Sequence, residues 1–189
     1  MIKMKNDIKS EWEVTDMGEP VKIIGIEITK KDDSIIISQE KYIDNILKRE
    51  GMDKSNPVST PMDPNHQVES NPEGNIGSKS NHYAKLLEEL QFLTNSTRPD
   101  IAYTVNKLAT YTANPSLQHV GALKRLLRYL KGTKNLGIKY SKNPQDEDQN
   151  ANIFQVAGYA DAALANTDDC KSIAGYVFIV GGGAIMWRS

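Results

Sequence analysis

The chain has 189 residues, 39% of them hydrophobic and 25% charged, with a formal net charge of −1, which is ordinary for a globular protein of one domain or two small ones. No apolar run reaches the roughly 20 residues that cross a bilayer, and the N-terminal residues lack a signal-peptide core, so we expect an intracellular protein without membrane association. The single cysteine, Cys170, excludes an intrachain disulfide and a zinc site built from cysteines.

The N-terminal part predicts a polar helix, a β-hairpin and a second helix. Residues 3–13 are polar and compatible with a helix. Isoleucine alternates with other residues from Ile24 to Ile28, and the run Ser34–Ser38 follows a polar turn, which predicts two antiparallel strands. From Gln39 to Glu50 the apolar residues recur on one helical face, and Gly51 ends the pattern. Because β-branched residues suit buried strands, we expect the hairpin to belong to a core.

A linker and a third helix follow. Residues 53–80 contain four prolines and many Ser and Asn, which indicates an extended linker. The next apolar residues have helical spacing, so we expect an amphipathic helix that packs with the helices after it. Its apolar face consists of Tyr83, Leu86, Leu87, Leu90 and Leu93.

Two consecutive helices are predicted next. Thr97 is a candidate N-cap for the first, and Pro99 falls in its first turn. The second begins near Asn114 or Ser116 and ends at Gly132, where we expect a positive φ to close the helix. One broad apolar face of this second helix consists of Val120, Leu123, Leu126, Leu127 and Leu130.

This region is also strongly basic. From Ile101 to Gln145 there are eight Lys or Arg and no acidic residue, so the rest of the chain carries a charge of about −9. Such an asymmetry suggests a polyanionic partner. Basic residues of the second helix adjoin its apolar face, and four of them are candidate nucleic-acid-binding residues: Lys124, Arg125, Arg128 and Lys131. The alternative interpretation is a solvated basic edge without a ligand.

The C-terminal part predicts a second unit made of strands. It begins at residue 134, and residues 136–140 alternate like a strand before a polar loop. Asp161 is predicted to lie at the end of the first of three antiparallel strands. Three glycines join the second strand to the third, and the predicted bounds are Val156–Ala160, Lys171–Val180 and Ala184–Arg188.

Several stretches resemble copia-type retrotransposon Pol polyproteins, namely TRPDI, the Pro-x-x-x-His turn after it, KRLLRYLKGT, EWEVTDMGEPVKIIGIEI and GYADAALA. The resemblance implies an α+β fold whose β-hairpin, Val21–Ser38, is of the primer-grip type. It also implies four parts along the chain. These are the end of the reverse transcriptase palm with the start of the thumb (1–52), a linker (53–80), thumb or connection helices (81–133), and an incomplete ribonuclease H-like mixed sheet with its first three antiparallel strands (134–189).

Asp161 matches the first catalytic carboxylate of ribonuclease H in this resemblance. The family enzyme hydrolyses the RNA strand of an RNA–DNA hybrid with two Mg²⁺ ions, which need several convergent carboxylates. Asp161 alone cannot supply them, and the polymerase Asp pair is absent, so we expect neither catalysis nor stable Mg²⁺ binding here. The expected partners are an RNA–DNA hybrid, or a DNA or RNA backbone, and the rest of the polyprotein. The edge left after the third strand also predicts self-association.

Two other functions are compatible with the sequence. One is noncatalytic nucleic-acid binding through the basic residues of the second helix. The other is an effector-like role in protein interaction, because Arg125–Arg128 matches the RxLR pattern of secreted effectors. That pattern belongs near an N-terminus behind a signal peptide, whereas here it lies within a predicted helix, so we interpret the match as accidental.

Overall fold

The computed structural model describes residues 2–63, 79–142, 155–164 and 172–189, which form an α+β protein with two antiparallel sheets, as predicted for the fold class. Most of the predicted linker, most of the polar loop and Lys171 lie outside the described residues. No described helix is long and apolar enough to cross a membrane. The helices are α1 Ile2–Glu11, α2 Glu40–Arg49, α3 Lys79–Ser96, α4 Ala102–Ala109 and α5 Leu117–Gly132, with a 3₁₀ turn at Pro99–Ile101. The strands are β1 Lys22–Ile23, β2 Ile26–Lys30, β3 Ser34–Ser38, β4 Gly137–Ser141, β5 Val156–Ala163, β6 Ile173–Val180 and β7 Gly183–Arg188.

The first sheet joins the predicted hairpin to the strand after α5. Its strand order is β1-β2-β3-β4, and every neighbouring pair is antiparallel. β4 pairs with β3, so that Ile138 lies opposite Ile37 and Gly137 lies opposite Ser38. A Cβ on Gly137 would lie 2.2 Å from Ile37 O, so only glycine permits this approach of the strands. The sequence grouped β4 with the C-terminal strands, but its ladder partner is the N-terminal hairpin.

The hydrophobic core lies among α2, α3, α4 and α5. In each of these helices, the apolar face that the residue spacing predicts packs in the core. No described residue of β5, β6 or β7 belongs to this core. The buried apolar side chains are Ile43, Ile46 and Leu47 of α2, Tyr83, Leu86, Leu87, Leu90 and Leu93 of α3, Ile101, Val105 and Leu108, and Leu123, Leu126, Leu127 and Leu130 of α5.

Thr97 and Arg98, which follow α3, are buried, and the expectation that Thr97 caps a helix is wrong. α3 continues to Ser96, and the following 3₁₀ turn begins at Pro99, so the cap position falls on Arg98. Thr97 lies too early in the chain to cap that turn. Its Oγ1 donates instead to Oε1 of Gln39, the residue before α2, over 2.7 Å.

Gly132 ends α5 without the positive φ expected for it. It is the last helical residue, and the cap is Thr133, whose φ is −126°. The absence of a side chain at Gly132 instead permits the close approach of Pro57, because a Cβ on Gly132 would lie 3.0 Å from Pro57 Cβ. Gly51, by contrast, has a φ of 65° after α2 and ends that helix as predicted.

The second sheet has the order β5-β6-β7 and is antiparallel throughout. Two side-chain hydrogen bonds fix β7 to the rest of the protein. Trp187 Nε1 donates to Thr94 O of α3 over 2.8 Å, and Tyr140 Oη of β4 donates to Ala184 O over 2.7 Å. β5 is the opposite edge of the sheet, and no described residue pairs with its outer side.

Candidate functional site

Helix α5 carries the four predicted nucleic-acid-binding residues. Its start is fixed by a capping box, in which the Ser116 side chain accepts from His119 N and His119 Nδ1 accepts from Ser116 N. Four buried leucines then set the rotation of the helix about its axis. This rotation leaves Lys124 exposed and Arg125, Arg128 and Lys131 half-buried along the border of the core.

Two of these side chains hold the backbone of residues 55–63, which we call the 55–63 segment. Lys131 Nζ donates to Ser55 O, and Arg128 Nε donates to Asn56 O over 2.6 Å. A carbonyl oxygen accepts a hydrogen bond but carries no net charge. The two side chains are therefore held in place while their positive charge is not neutralised by these partners.

Arg125 contacts the same segment through a hydroxyl and a carboxylate. Its guanidinium donates to Thr60 Oγ1 over 2.9 Å and lies 3.5 Å from Asp63 Oδ2. Because Asp63 is acidic, the charge of Arg125 is partly offset. The spacing of basic residues along α5 predicts the stripe, but nothing in the proline-rich sequence of the segment signals that it packs there.

Lys124 makes no hydrogen bond or ion pair with the described part of the chain. It lines a cavity of about 340 Å³ between α3, α5 and the end of α2, together with the core residues Leu123 and Leu127. Glu50 also lines this cavity, and its carboxylate lies 2.7 Å from His82 Nε2. Lys124 is thus the member of the stripe that is most open to a new anionic partner.

Two further basic residues of the region face other elements. Lys134 Nζ lies 3.0 Å from Asp44 Oδ1 of α2, and this hydrogen bond raises the pKa of the lysine. Lys142 Nζ donates to Asp32 O in the turn between β2 and β3 over 2.9 Å. Among the described residues, the cluster that can be considered a nucleic-acid interface is therefore the stripe on α5.

The buried Arg98 pairs with the partly exposed Asp100 and joins the 3₁₀ turn before α4 to the end of α5. The Arg98 guanidinium, 1% exposed, donates to Asp100 Oδ2 over 2.7 Å, to Thr133 Oγ1 over 2.7 Å and to Thr133 O over 3.0 Å. Tyr129 Oη donates to Asp100 Oδ2 over 2.8 Å. Burial raises the pKa of Asp100, but the bonds from Arg98 and Tyr129 outweigh it and hold the pKa below its ordinary value. Sequence reasoning missed this network, although an Arg and an Asp on either side of a proline were a local sign of it.

Asp161 lies on β5, the first strand of the second sheet, as predicted, although the strand continues past it to Ala163. Its side chain is exposed, its Oδ1 accepts from Ala162 N over 2.9 Å, and its partner on β6 is Gly175. Asp161 lines an open depression of about 600 Å³, together with other residues of the sheet and residues of α4. Its larger lining side chains are Tyr103, Tyr159, Trp187 and Arg188.

The described surroundings of Asp161 do not fit a two-metal site. Within residues 2–63, 79–142, 155–164 and 172–189, no three His, Cys, Asp or Glu side chains are grouped so that they could hold a metal ion. Asp100 lines the same depression, but its carboxylate is bound by Arg98 and Tyr129. Two Mg²⁺ ions need more carboxylates than Asp161 provides, so we derive no metal-dependent step from these residues.

The tetrapeptide Arg125–Arg128, which matches the RxLR pattern, is a packed part of α5. Its two leucines, Leu126 and Leu127, are 0% and 2% exposed. Its two arginines bind the 55–63 segment. In this fold a partner protein has no access to the leucines while the helix is intact.

Comparison with known proteins gives long matches to retrotransposon Pol polyproteins. The chain is 32% identical over 197 residues to the Retrovirus-related Pol polyprotein from transposon TNT 1-94 of Nicotiana tabacum, covering 99% of the chain and 14% of that polyprotein. It is 35% identical over 185 residues to the Retrovirus-related Pol polyprotein from transposon RE1 of Arabidopsis thaliana, covering 97% of the chain and 12% of that polyprotein. The chain thus spans about one seventh of the length of these relatives, or less. No protein-family model and no solved structure matches it.

A shorter relative matches over most of its own length. The chain is 33% identical over 108 residues to Secreted RxLR effector protein 161 of Plasmopara viticola, covering 57% of the chain and 70% of that protein. The alignments with the two Pol polyproteins, by contrast, cover nearly the whole chain. This similarity, spread over both sheets and all the helices, shows that the chain is homologous over nearly its full length to copia-type retrotransposon Pol polyproteins.

Proposed function

We propose that this chain is the part of a retrotransposon Pol polyprotein that includes the thumb and connection elements of the reverse transcriptase and the first strands of the ribonuclease H domain. The polyprotein would copy the element RNA into DNA and degrade the RNA strand. This chain would hold nucleic acid without catalysing either reaction by itself. The observation that carries the proposal is Asp161, an exposed carboxylate on the first strand of a three-stranded antiparallel sheet.

The geometry around Asp161 supports ligand binding more than a role in packing. Its neighbour on β6, Gly175, has no side chain that could cover the carboxylate. No basic side chain of the described residues pairs with it, and the depression beside it is open. A carboxylate in such a place contributes little to stability, since it buries no surface and neutralises no charge.

The catalytic part of the proposal is tested with labelled RNA–DNA hybrid and Mg²⁺. The purified chain should not cleave the RNA strand, because one carboxylate cannot position two metal ions. Cleavage that disappears in Asp161→Asn would overturn this expectation. In a polyprotein that contains this segment, Asp161→Asn should abolish RNA cleavage and leave DNA synthesis intact, whereas Asp53→Asn at an exposed position after α2 should change neither. RNA cleavage that survives Asp161→Asn would refute the assigned role.

A second candidate function is noncatalytic binding of nucleic acid by the α5 stripe. It is favoured by the unbalanced charge of Arg128 and Lys131 and by the exposure of Lys124. If about four phosphates are contacted, affinity should fall roughly a hundredfold between 50 and 200 mM salt. Fluorescence anisotropy measures this, and reversing the charge of the three residues should abolish binding.

The matched control for the stripe is Lys48→Glu on the exposed surface of α2, which changes the net charge in the same direction. This variant should bind almost as tightly as the wild type. Equal loss in the control and in Lys124→Glu would mean that net charge, and not the stripe, determines binding. Binding that is indifferent to salt would exclude a phosphate interface altogether.

A third candidate function is an effector-like role in protein interaction, and the relative from Plasmopara viticola is the observation that favours it. Such a role requires secretion. Expression of the whole reading frame that contains this chain in a eukaryotic host, followed by detection in cells and medium, tests it directly. Retention inside the cells would contradict this function.

A further inference from the structure

The 55–63 segment is fixed in place by contacts that do not involve the basic side chains of α5. Ser55 N and Ser55 Oγ both donate to Met52 O, over 3.1 and 2.7 Å, and Met52 N donates in turn to a carbonyl of α2 over 2.8 Å. Met52 and Met62, on either side of this part of the chain, pack against the hydrophobic core. The first carbonyl groups of the segment are therefore positioned from α2, independently of α5.

The segment approaches α5 most closely at a glycine. A Cβ on Gly132 would lie 3.0 Å from Pro57 Cβ and 3.8 Å from Val58 O. Since a Cβ contact as short as 3.0 Å makes the neighbouring atom give way, any side chain at this position would push the segment away from the helix. Gly121 lies on the same helix, and the described chain leaves open space at its Cβ position. The two glycines thus differ in whether a side chain would displace the segment.

The segment holds two basic side chains of α5 without neutralising them. Arg128 Nε donates to Asn56 O over 2.6 Å, and Lys131 Nζ donates to Ser55 O. Neither side chain forms an ion pair with the described part of the chain. A guanidinium has five N–H donors and an ammonium has three, so each group keeps donors after one hydrogen bond. Both side chains are therefore ordered, charged and still able to bind an acceptor.

We infer that the 55–63 segment is a positioning element, which holds Arg128 and Lys131 in the geometry in which α5 binds the phosphate groups of a nucleic-acid backbone. Gly132 is the positioning residue that permits this, because its missing side chain lets the segment reach the helix. Long cationic side chains lose rotamer freedom when they bind a ligand, and ordering them beforehand removes that cost from binding. The inference rests on the proposed binding of nucleic acid by the α5 stripe and adds the source of its affinity.

Phosphate oxygens are the fitting ligand for a pair of side chains held in this way. Arginine and lysine side chains only donate hydrogen bonds, and phosphate oxygens accept them and carry the opposite charge. Contacts of this kind fix the position of the nucleic acid and carry no sequence information directly. We therefore expect the contribution of the segment to be the same for oligonucleotides of different sequence.

The experiment compares Gly132→Val with Gly121→Val by fluorescence anisotropy on a labelled DNA duplex of mixed sequence. Both variants keep every charge of the chain, and both place the same side chain on α5. Gly132→Val should weaken binding about tenfold at each salt concentration, because two long side chains must then be ordered during binding. Gly121→Val should bind as tightly as the wild type. The slope of affinity against salt should be equal in all three proteins, because the same phosphates are contacted.

A second measurement needs no variant for its readout and therefore remains valid if Gly132→Val does not fold. It is nitrogen-15 relaxation of the Arg128 Nε–H group in the wild type, with the signal assigned through Arg128→Lys. This group should be ordered in the free protein and should gain little further order when the duplex is added. Arg188, exposed on β7, provides the mobile reference within the same spectrum.

Three outcomes would overturn the inference and leave salt-dependent binding intact. These are equal affinity of the two valine variants, tighter binding by Gly132→Val, and an Arg128 Nε–H group that is mobile until the duplex is added. A smaller salt slope in Gly132→Val would also overturn it, because phosphate contacts would then be lost and not merely formed at greater cost. A wild type that does not bind at any salt concentration would refute the binding function itself, and with it any role of the segment in binding.

Discussion

The helices with the first sheet, which we call the helical unit, and the second sheet differ in where their apolar side chains lie. In the helical unit, apolar faces of four helices meet in one core, and Leu90, Leu93 and Leu126 are fully buried. In the second sheet, Phe178 and Met186 are 39% and 55% exposed. No described residue of the second sheet is among the buried apolar side chains.

The difference indicates two sources of stability in one chain. Burial of apolar area stabilises the helical unit without help from another molecule. The second sheet relies on strand pairing and on the contacts of Trp187 and Tyr140, because none of its described residues belongs to the hydrophobic core. We expect the second sheet to open locally at lower free energy than the helices.

The largest expected effect comes from truncating one residue in each region. Leu126→Ala removes a fully buried side chain and should lower the free energy of unfolding by about 3 kcal/mol. Phe178→Ala removes a side chain that is 39% exposed, and its effect should be under about 1 kcal/mol. Urea unfolding followed by circular dichroism at 222 nm measures both. Equal losses would contradict the distinction between the two regions.

The next effect concerns the ion pair at the end of the helical unit. Asp100→Asn leaves Arg98 buried without its charged partner and should cost about 2 kcal/mol at pH 7, discounted because the Asp100 side chain is 33% exposed. The folded-state pKa of Asp100 lies below 3.8, so its stabilisation is complete above that pH and is lost as the pH falls through the folded value.

Urea midpoints at pH 7, 5 and 3 check this pH dependence. The difference between wild type and Asp100→Asn should be the same at pH 7 and 5 and should shrink at pH 3. Asp33→Asn, in the exposed turn of the hairpin, is the control and should have almost no effect at any of the three. A difference that grows at pH 3 would reverse the sign that we assign to Asp100.

Features set by local sequence were predictable in this protein. The leucine spacing of α5 predicted its apolar face, and Ser116 was one of the two starts predicted for it. The isoleucine runs predicted β2 and β3, although Ile24 and Gly25, which were assigned to the first strand, form a turn with positive φ between β1 and β2. Asp161 was placed at the end of the correct strand, although β5 extends past it. In each case the determining residues are within a few positions of one another, so helical or strand periodicity is enough.

Contacts between distant residues were not predictable in the same way. Arg98 binds Thr133, 35 residues later, and Ile37 pairs with Ile138 across most of the chain. The candidate stripe was found from charge and spacing, but its contact with Asn56 depends on how a proline-rich segment packs against α5. Periodicity contains no information about which elements meet, so these features required the structure.

A smaller effect tests how the second sheet is attached. Trp187→Phe keeps an aromatic ring at this position but removes the hydrogen bond from the indole N–H to Thr94 O. This loss should cost about 1 kcal/mol. Hydrogen exchange should become faster in β6 and β7 and remain unchanged in α3. Faster exchange throughout α3 would mean that the two regions open together, and the comparison between them would fail.

The smallest effect comes from two glycines of α5 and acts on the helical unit alone. Gly121 has open space around it, so Gly121→Ala should stabilise the helix by about 0.5 to 1 kcal/mol through its helix propensity. Gly132→Ala gains less, because its Cβ would lie 3.0 Å from Pro57 Cβ and would push the 55–63 segment outward. The urea midpoint should therefore rise for Gly121→Ala and change little or fall for Gly132→Ala, with β6 exchange unaffected in both. Equal stabilisation by the two variants would show that the 55–63 segment can move away from α5 without cost. Its contacts with Arg128 and Lys131 would then contribute nothing to the stability of the helical unit.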